Sequence, residues 1–443
     1  MKLKTIPIAV VLILTACQKK QQPIVVSPED FHRAVDKVVE VMIHDIFSPP
    51  VATRIFAYPS IAAYEIMVKK QPDSYQSLAG QLKDLQSIPD PSDPENTNYE
   101  VAAMVAHMEL SKRLIFSEDR VTGYRDSLYT AWRESNEKVF NTSKDYGMEV
   151  ADFITTWMNG DNYKETRTMP KFTVDTEDPA RWQPTPPAYM NGLEPHWAQI
   201  RPFAIDSASQ FKPTPPPPFS MEEDSQFYKE TMEVYRVRQE MTEKGDDSEE
   251  IAIAKFWDCN PYVSVTRGHL MFATKKITPG AHWIGINKIA CRMTDTDFAR
   301  TVHNYTKTSI ALFDGFISCW DEKFRSNLIR PETVINEYID DSWEPVLQTP
   351  PFPEYTSGHS VVSGAAATVL TDLFGDNFAY DDDTETPFGI PMRSFTSFNQ
   401  AAEEAAISRM YGGIHYRAAI EVGIDQGRDL GAFIVDKLKM AKE

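Results

Sequence analysis

The chain has 443 residues, of which 42% are hydrophobic, 11% aromatic and 25% charged. That is a globular composition, which excludes general disorder and fits one large domain or two packed ones. Lys+Arg 45 against Asp+Glu 64 gives a net charge of −19, so a broad nucleic-acid-binding surface is disfavoured and any anion site must be built locally. Four cysteines in this length exclude a disulfide scaffold and a cysteine-based zinc cluster.

Lys2 and Lys4 precede an apolar run from Thr5 to Ala16 that is too short to span a bilayer comfortably. The run ends in Leu14-Thr15-Ala16-Cys17, which resembles a bacterial lipobox. On that reading residues 1–16 are a signal peptide and Cys17 is lipidated. Residues 17–26 are then a linker, and a soluble body is tethered to the lipid bilayer of the cell envelope, at the outer membrane or on the periplasmic face. The alternative is an ordinary signal peptide with a chance cysteine. Cys259, Cys291 and Cys319 remain, and an oxidising compartment permits one bridge among them.

Ser27-Pro28-Glu29-Asp30 supplies a cap, a first-turn proline and acidic residues, and Phe31, Val35, Val38, Val39, Met42, Ile43 and Ile46 follow at helical spacing. Pro49-Pro50 is expected to stop that helix. Similar patterns around 53–70, 99–116, 121–140 and 143–159 make 27–169 a set of antiparallel helices. Residues 170–220 differ. Pro184, Pro186, Pro187, Pro195, Pro202, Pro213 and the run Pro215 to Pro218 forbid a long helix, yet Trp182, Tyr189, Trp197 and Phe203 are interleaved. Such a segment is expected to lie extended over the helices and pack on them. Helical patterning resumes near Ser220 and dominates 221–443, interrupted at 346–357 and at 376–395, where Asp376 to Pro391 reads as an acidic surface loop. Period-two alternation is scarce throughout.

Three segments of the last third carry chemistry. Lys323 and Arg330 stand seven residues apart near the end of a helix from about 297, close to two turns, so both can point one way. Ser357-Gly358-His359 opens a second helix, whose first amides form a ready oxyanion site. Arg409 ends a third, Gly412-Gly413 allow a turn, and His415 opens the last helix. Gly423, Gly427 and Gly431 along that helix predict a close helical neighbour. Each segment alone has a bland reading as a basic helix end, a serine cap or a packing histidine. His196, His269 and His282 read as structural, and His32, His44 and His107 as surface or packing residues.

Together, Lys-x6-Arg-Pro, Ser-Gly-His and Ser-Arg-x5-His are similar to the superfamily of type 2 phosphatidic acid phosphatases and vanadium-dependent haloperoxidases. Trp320 three residues before Lys323, Thr349-Pro350-Pro351 before Phe352 and the Pro/Trp-rich stretch resemble its bacterial haloperoxidase branch. The resemblance implies an all-α fold on a helix-bundle core, with vanadate as cofactor and hydrogen peroxide and halide as substrates. In the phosphatase branch phosphate takes vanadate's place. It further implies that Lys323, Arg330 and Arg409 neutralise the oxyanion, that Ser357 and the Gly358 amide donate to it, and that His415 binds the central atom. His359 is then the acid–base group on the opposite side, suited by an ordinary imidazole pKa. Lys323 would polarise the peroxide. The halide pocket is expected at Trp320, Asp321, Phe352 and Tyr262, whose apolar walls favour iodide or bromide over chloride.

Two positions depart from the pattern. Thr356 replaces the usual proline before Ser-Gly-His. Ala419 stands where phosphatases place the aspartate that orients the nucleophilic histidine, and Glu421 lies on another helical face. The first is tolerable, since only backbone shape is at issue there, and the second favours haloperoxidase, with a small-molecule acceptor for the oxidised halogen open. The competing readings are an exported acid phosphatase working through a phosphohistidine, and a non-catalytic glycan-binding lipoprotein, which leaves the basic residues and histidines unexplained.

Overall fold

The structure is a computed structural model that describes residues 21–260 and 276–442, with backbone alone for 264–267 and 270–273. The signal peptide, Cys17 and Tyr262 lie outside the described residues. Helix α1 (Pro28–Asp45) opens on a reciprocal capping box between Ser27 and Asp30. It closes at Ile46 in the left-handed region (φ 56), ahead of the two prolines. Pro49-Pro50 instead begins α2 (Pro49–Lys70) under a Ser48 cap, because the first helical positions need no amide donor. Next come α3 (Tyr99–Leu114), α4 (Asp119–Ser135) and α5 (Glu137–Met158). The break between α4 and α5 falls at Asn136, whose side chain caps Val139, earlier than the apolar pattern implied.

After the short α6 (Tyr163–Thr166), the proline-rich segment packs on α10 (Phe298–Ser326) as expected. Trp182, Trp197 and Phe203 are fully buried, whereas Tyr189 stays 65% exposed and takes no part. The Asp314 carboxylate of α10 accepts the amides of Phe203, Ala204 and Ile205 and so clamps the segment down. Helices α7 (Gln226–Lys244) and α8 (Glu249–Phe256) lead into an antiparallel hairpin of β1 (Ser264–Arg267) and β2 (Leu270–Ala273). Then follow α9 (Pro279–Met293), α10, α11 (Pro331–Tyr338) and α12 (Gly358–Phe374). The stretch read as a surface loop holds β3 (Tyr380–Asp382), paired with β4 (Arg393–Phe395), and Tyr380, Asp382 and Glu385 are buried there. Three-residue strands are too short for alternation to reveal them. Helices α13 (Phe398–Tyr411) and α14 (Arg417–Lys437) complete the chain.

The largest apolar cluster among the described residues runs from Ile24 to Met440, with two smaller ones beside it. Helix α14 lies directly on α12, as its glycines predict. A Cβ on Gly427 would sit 2.0 Å from the Val361 carbonyl oxygen, so no other residue fits there. This close approach fixes α12, and hence the Ser-Gly-His corner, against the segment carrying His415. Cys259, Cys291 and Cys319 are buried free thiols, with no bridge among them. No helix among the described residues is long and apolar enough to cross a membrane.

Candidate active site

Helix α10 ends at Asn327 in the left-handed region (φ 48), and Arg330 becomes the cap residue of α11. Lys323 and Arg330 therefore sit on different elements, contrary to the two-turn reading, yet both point inward and are fully buried. Lys323 Nζ donates to the carbonyls of Pro353 (3.0 Å) and Glu354 (2.9 Å). Arg330 donates from Nε to the Phe352 carbonyl (2.9 Å) and from Nη1 to the Ile414 carbonyl (2.8 Å). Arg409, near the end of α13, donates from Nη2 to the Trp257 carbonyl (2.8 Å) and from Nε to Ser408 Oγ (2.9 Å). None of these bonds reaches a carboxylate. Arg330 Nη2 is buried with no protein partner.

Ser357 caps α12, its Oγ accepting from the Ser360 amide (3.3 Å) and keeping its own proton for another acceptor. The amides of Gly358 and His359 occupy the first two helical positions, where no intrahelical acceptor exists. Gly358 leaves that backbone open between Trp320 and Lys323, the side chains nearest its missing Cβ. Thr356, in the position of the usual proline, donates from Oγ1 to Gln426 Oε1 (2.7 Å) on α14.

His415 precedes α14 by two residues instead of opening it, since the helix begins at Arg417 under a Tyr416 cap. Its Nδ1 lies 2.8 Å from Glu354 Oε1, which also accepts the Tyr416 amide (2.9 Å). The other ring nitrogen, Nε2, is 3.1 Å from Arg330 Nη1. An ionised carboxylate only accepts and a guanidinium only donates, so Nδ1 carries the proton and the Nε2 lone pair faces the cations. Glu354 is the functional residue that sequence reasoning missed. The motif placed the orienting carboxylate on α14, where Ala419 stands, and the fold delivers one from the loop before α12.

Burial pushes the Lys323 ammonium down to about 7, helped by the Arg330 charge. Arg330 falls to about 10 for the same first reason. Burial raises Glu354 to about 7 against the pull of Arg330 and Lys323. His415 is held well below its ordinary value by burial and then by Arg330 and Lys323, and His359 by burial and then by Arg409. The ordinary imidazole pKa expected of His359 therefore does not hold at this buried position. Its Nε2 is buried and unpartnered. Three buried cations with depressed pKa values, one of them with Nη2 unpartnered, are stabilised by an anion brought among them.

His359, Arg409, His415, Gly358, Trp320 and Phe352 line one cavity of about 30 Å³. Its wall is apolar at Phe316, Trp320, Phe352 and Ile414, and Asp258, Cys259 and Asn260 close another side. The Trp320 and Phe352 rings lie 5.0 Å apart, with Lys323 Nζ 5.0 Å from the Phe352 ring centre. Asp321 does not join them. It pairs with Arg325 on the outer side of α10 (3.0 Å), because successive helical residues point about 100° apart.

This helical fold, with its cationic cradle and paired imidazoles, defines an oxyanion-binding enzyme. Residues 338–442 match the family model of the VCPO second helical-bundle domain. Among solved structures, the chain is similar to one described as the first bacterial vanadium-dependent iodoperoxidase. Identity to it is 67% over 96% of this chain and 100% of that one, with a TM-score of 0.92. Apo and holo bacterial vanadium-dependent chloroperoxidases share the fold at TM-scores of 0.67 and 0.64. Their identities are 17% and 16%, over 88% and 89% of this chain and 94% and 93% of theirs. No curated protein matches the sequence. The chain belongs to the vanadium-dependent haloperoxidase family, a family of peroxidases whose cofactor is vanadate.

Proposed function

We propose that the protein is an exported, lipid-anchored haloperoxidase that oxidises iodide, and bromide less well, with hydrogen peroxide to hypohalous acid. The observation that carries the halide preference is the aromatic wall of Trp320 and Phe352 set against the cationic end of the cavity. Such a wall replaces little of the hydration that a small, strongly solvated chloride must give up. The 67%-identical relative described as an iodoperoxidase supports the same choice.

Bound vanadate supplies a Lewis acid that activates hydrogen peroxide without changing its own oxidation state. Lys323, Arg330 and Arg409 would hold the cofactor's negative charge, the guanidinium forks offering bidentate bonds. Ser357 Oγ and the Gly358 amide add neutral donors. His415 Nε2 would be the metal ligand, its lone pair aimed by the Glu354 bond at Nδ1. His359 Nε2, buried and unpartnered, would accept and return a proton of the peroxide, and Lys323 Nζ would polarise a peroxide oxygen.

The test is halide competition at saturating vanadate and peroxide. Iodide is expected to exceed bromide in kcat/KM by at least about tenfold, with chloride last; chloride turnover at comparable efficiency overturns the preference. The anchor rests on residues 1–17 alone, and loss of lipid label in Cys17→Ala checks it. One observation favours a second activity. Glu354 gives His415 the oriented imidazole that phosphomonoester hydrolysis needs, so the vanadate-free protein is expected to cleave p-nitrophenyl phosphate slowly.

A further inference from the structure

Behind the Cys259 wall of the cavity three polar side chains meet from distant parts of the chain. Cys259 follows α8, His282 stands in the first turn of α9, and Glu385 follows β3; all three are buried. Cys259 Sγ lies 3.4 Å from His282 Nδ1 and 3.8 Å from Glu385 Oε1. His282 Nδ1 is 3.6 Å from the same Glu385 oxygen. On the far side of the ring, Nε2 donates to Asp382 Oδ2 at 2.9 Å, and Trp257 stacks on the ring at 4.4 Å. Thr384, through its amide and hydroxyl, fixes the other Asp382 oxygen.

We propose that Cys259, His282 and Glu385 bind a divalent cation of the zinc class, with Asp382 as the carboxylate behind the ligating imidazole. The geometry is specific. Sulfur, nitrogen and oxygen ligands held tetrahedrally at about 2.0–2.3 Å from zinc stand about 3.3–3.6 Å apart, close to the three separations here. Explained by protons alone, the same triangle is poorly bonded. The Sγ–Nδ1 contact at 3.4 Å is an ordinary one for sulfur, but the Glu385 oxygen then has Nδ1 only at 3.6 Å, beyond an N–H···O bond, and the thiol at 3.8 Å. With Nε2 committed to Asp382, the Nδ1 lone pair and the Glu385 oxygen converge on one point, which is the arrangement of a carboxylate–histidine–metal unit. Thiolate and imidazole together select zinc over magnesium or calcium.

The site lies outside the vanadate cradle and shares its wall. Cys259 lines the cavity with His359 and Arg409, and the Trp257 carbonyl accepts from Arg409. A cation here pins the 257–259 segment to α9 and to the turn after β3, so it holds the acceptor that aims Arg409. The sequence exclusion of a cysteine-based cluster stands beside this, because the site needs a single thiolate.

Cobalt(II) titration of the vanadate-free full chain tests the site, since a cobalt–thiolate bond gives a near-ultraviolet charge-transfer band. The expected result is a band that saturates at one metal per chain and is displaced by zinc. It should be lost in Cys259→Ser and retained in Cys291→Ser and Cys319→Ser. Elemental analysis after zinc loading should show one zinc in the wild type and none in His282→Ala. Absence of the band in folded wild type at excess cobalt overturns the proposal, as does a band that survives Cys259→Ser. Should Cys259→Ser not fold, the wild-type spectrum together with the two control variants decides.

Discussion

Arg54 in the N-terminal helices and Arg330 in the C-terminal third are both buried, and they are neutralised in opposite ways. Arg54 Nε donates to Asp161 at 2.7 Å, and the same carboxylate accepts the Tyr58 hydroxyl at 2.9 Å and, through its other oxygen, the Tyr163 amide. The guanidinium also lies over the Tyr163 ring at 4.3 Å. Arg330 donates to two carbonyls and a ring nitrogen and leaves Nη2 unused, with Lys323 and Arg409 resting on carbonyl and hydroxyl oxygens. A buried charge closed by its own counter-ion holds the fold, whereas one left open is a binding site whose missing partner is the ligand.

The comparison breaks if the two clusters respond alike to loss of charge. Asp161→Asn strands Arg54 in the interior and is expected to cost about 3–5 kcal/mol of stability, with vanadate affinity of the folded protein unchanged; denaturant melts and vanadate titration read the two effects separately. Lys323→Met should do the reverse. Losing a charge-assisted bond weakens vanadate by about 1.5–3 kcal/mol, roughly 10–150-fold, while the vanadate-free melting temperature at pH 6 does not fall. The sign follows from linkage. The folded Lys323 pKa of about 7 lies below the unfolded lysine value, so between them the unfolded chain binds more protons and stability rises with pH. Below pH 7 the buried charge is destabilising in full, and methionine removes it.

A smaller effect sharpens the same point. Because an anion in the cradle draws the Lys323 pKa back up, vanadate binding near pH 8 should take up a fraction of a proton at Lys323. Calorimetry in two buffers of different ionisation enthalpy measures it, and Lys323→Met should abolish the difference. Identical heats in both buffers for the wild type would mean that the ammonium is already charged and already paired.

The basic residues and the Ser-Gly-His corner were legible because they lie in short motifs whose internal spacing is set by one helix end or one turn. The helical class was legible because apolar residues recur at helical period along α1, α2 and α10. The misplaced details share one cause. The sequence places Asp321 beside Trp320 in the expected halide pocket, but on α10 adjacent residues face different ways, and Asp321 pairs with Arg325 outside. Pro49-Pro50 marks a helix ending on propensity alone, because proline breaks helices, but under the Ser48 cap it begins one.

By itself the sequence determined the class of fold, the set of cations and the two imidazoles, since those depend on residue type and on spacings within a few turns. Only the tertiary structure decided which carboxylate orients His415. It also decided that Lys323 and Arg330 arrive on separate elements, and that Cys259, His282 and Glu385 share a point. The reason is physical: hydrogen bonds and ligand geometry act over about 3 Å, and chain separation says nothing of that distance until α12 and α14 have closed on each other through their glycines.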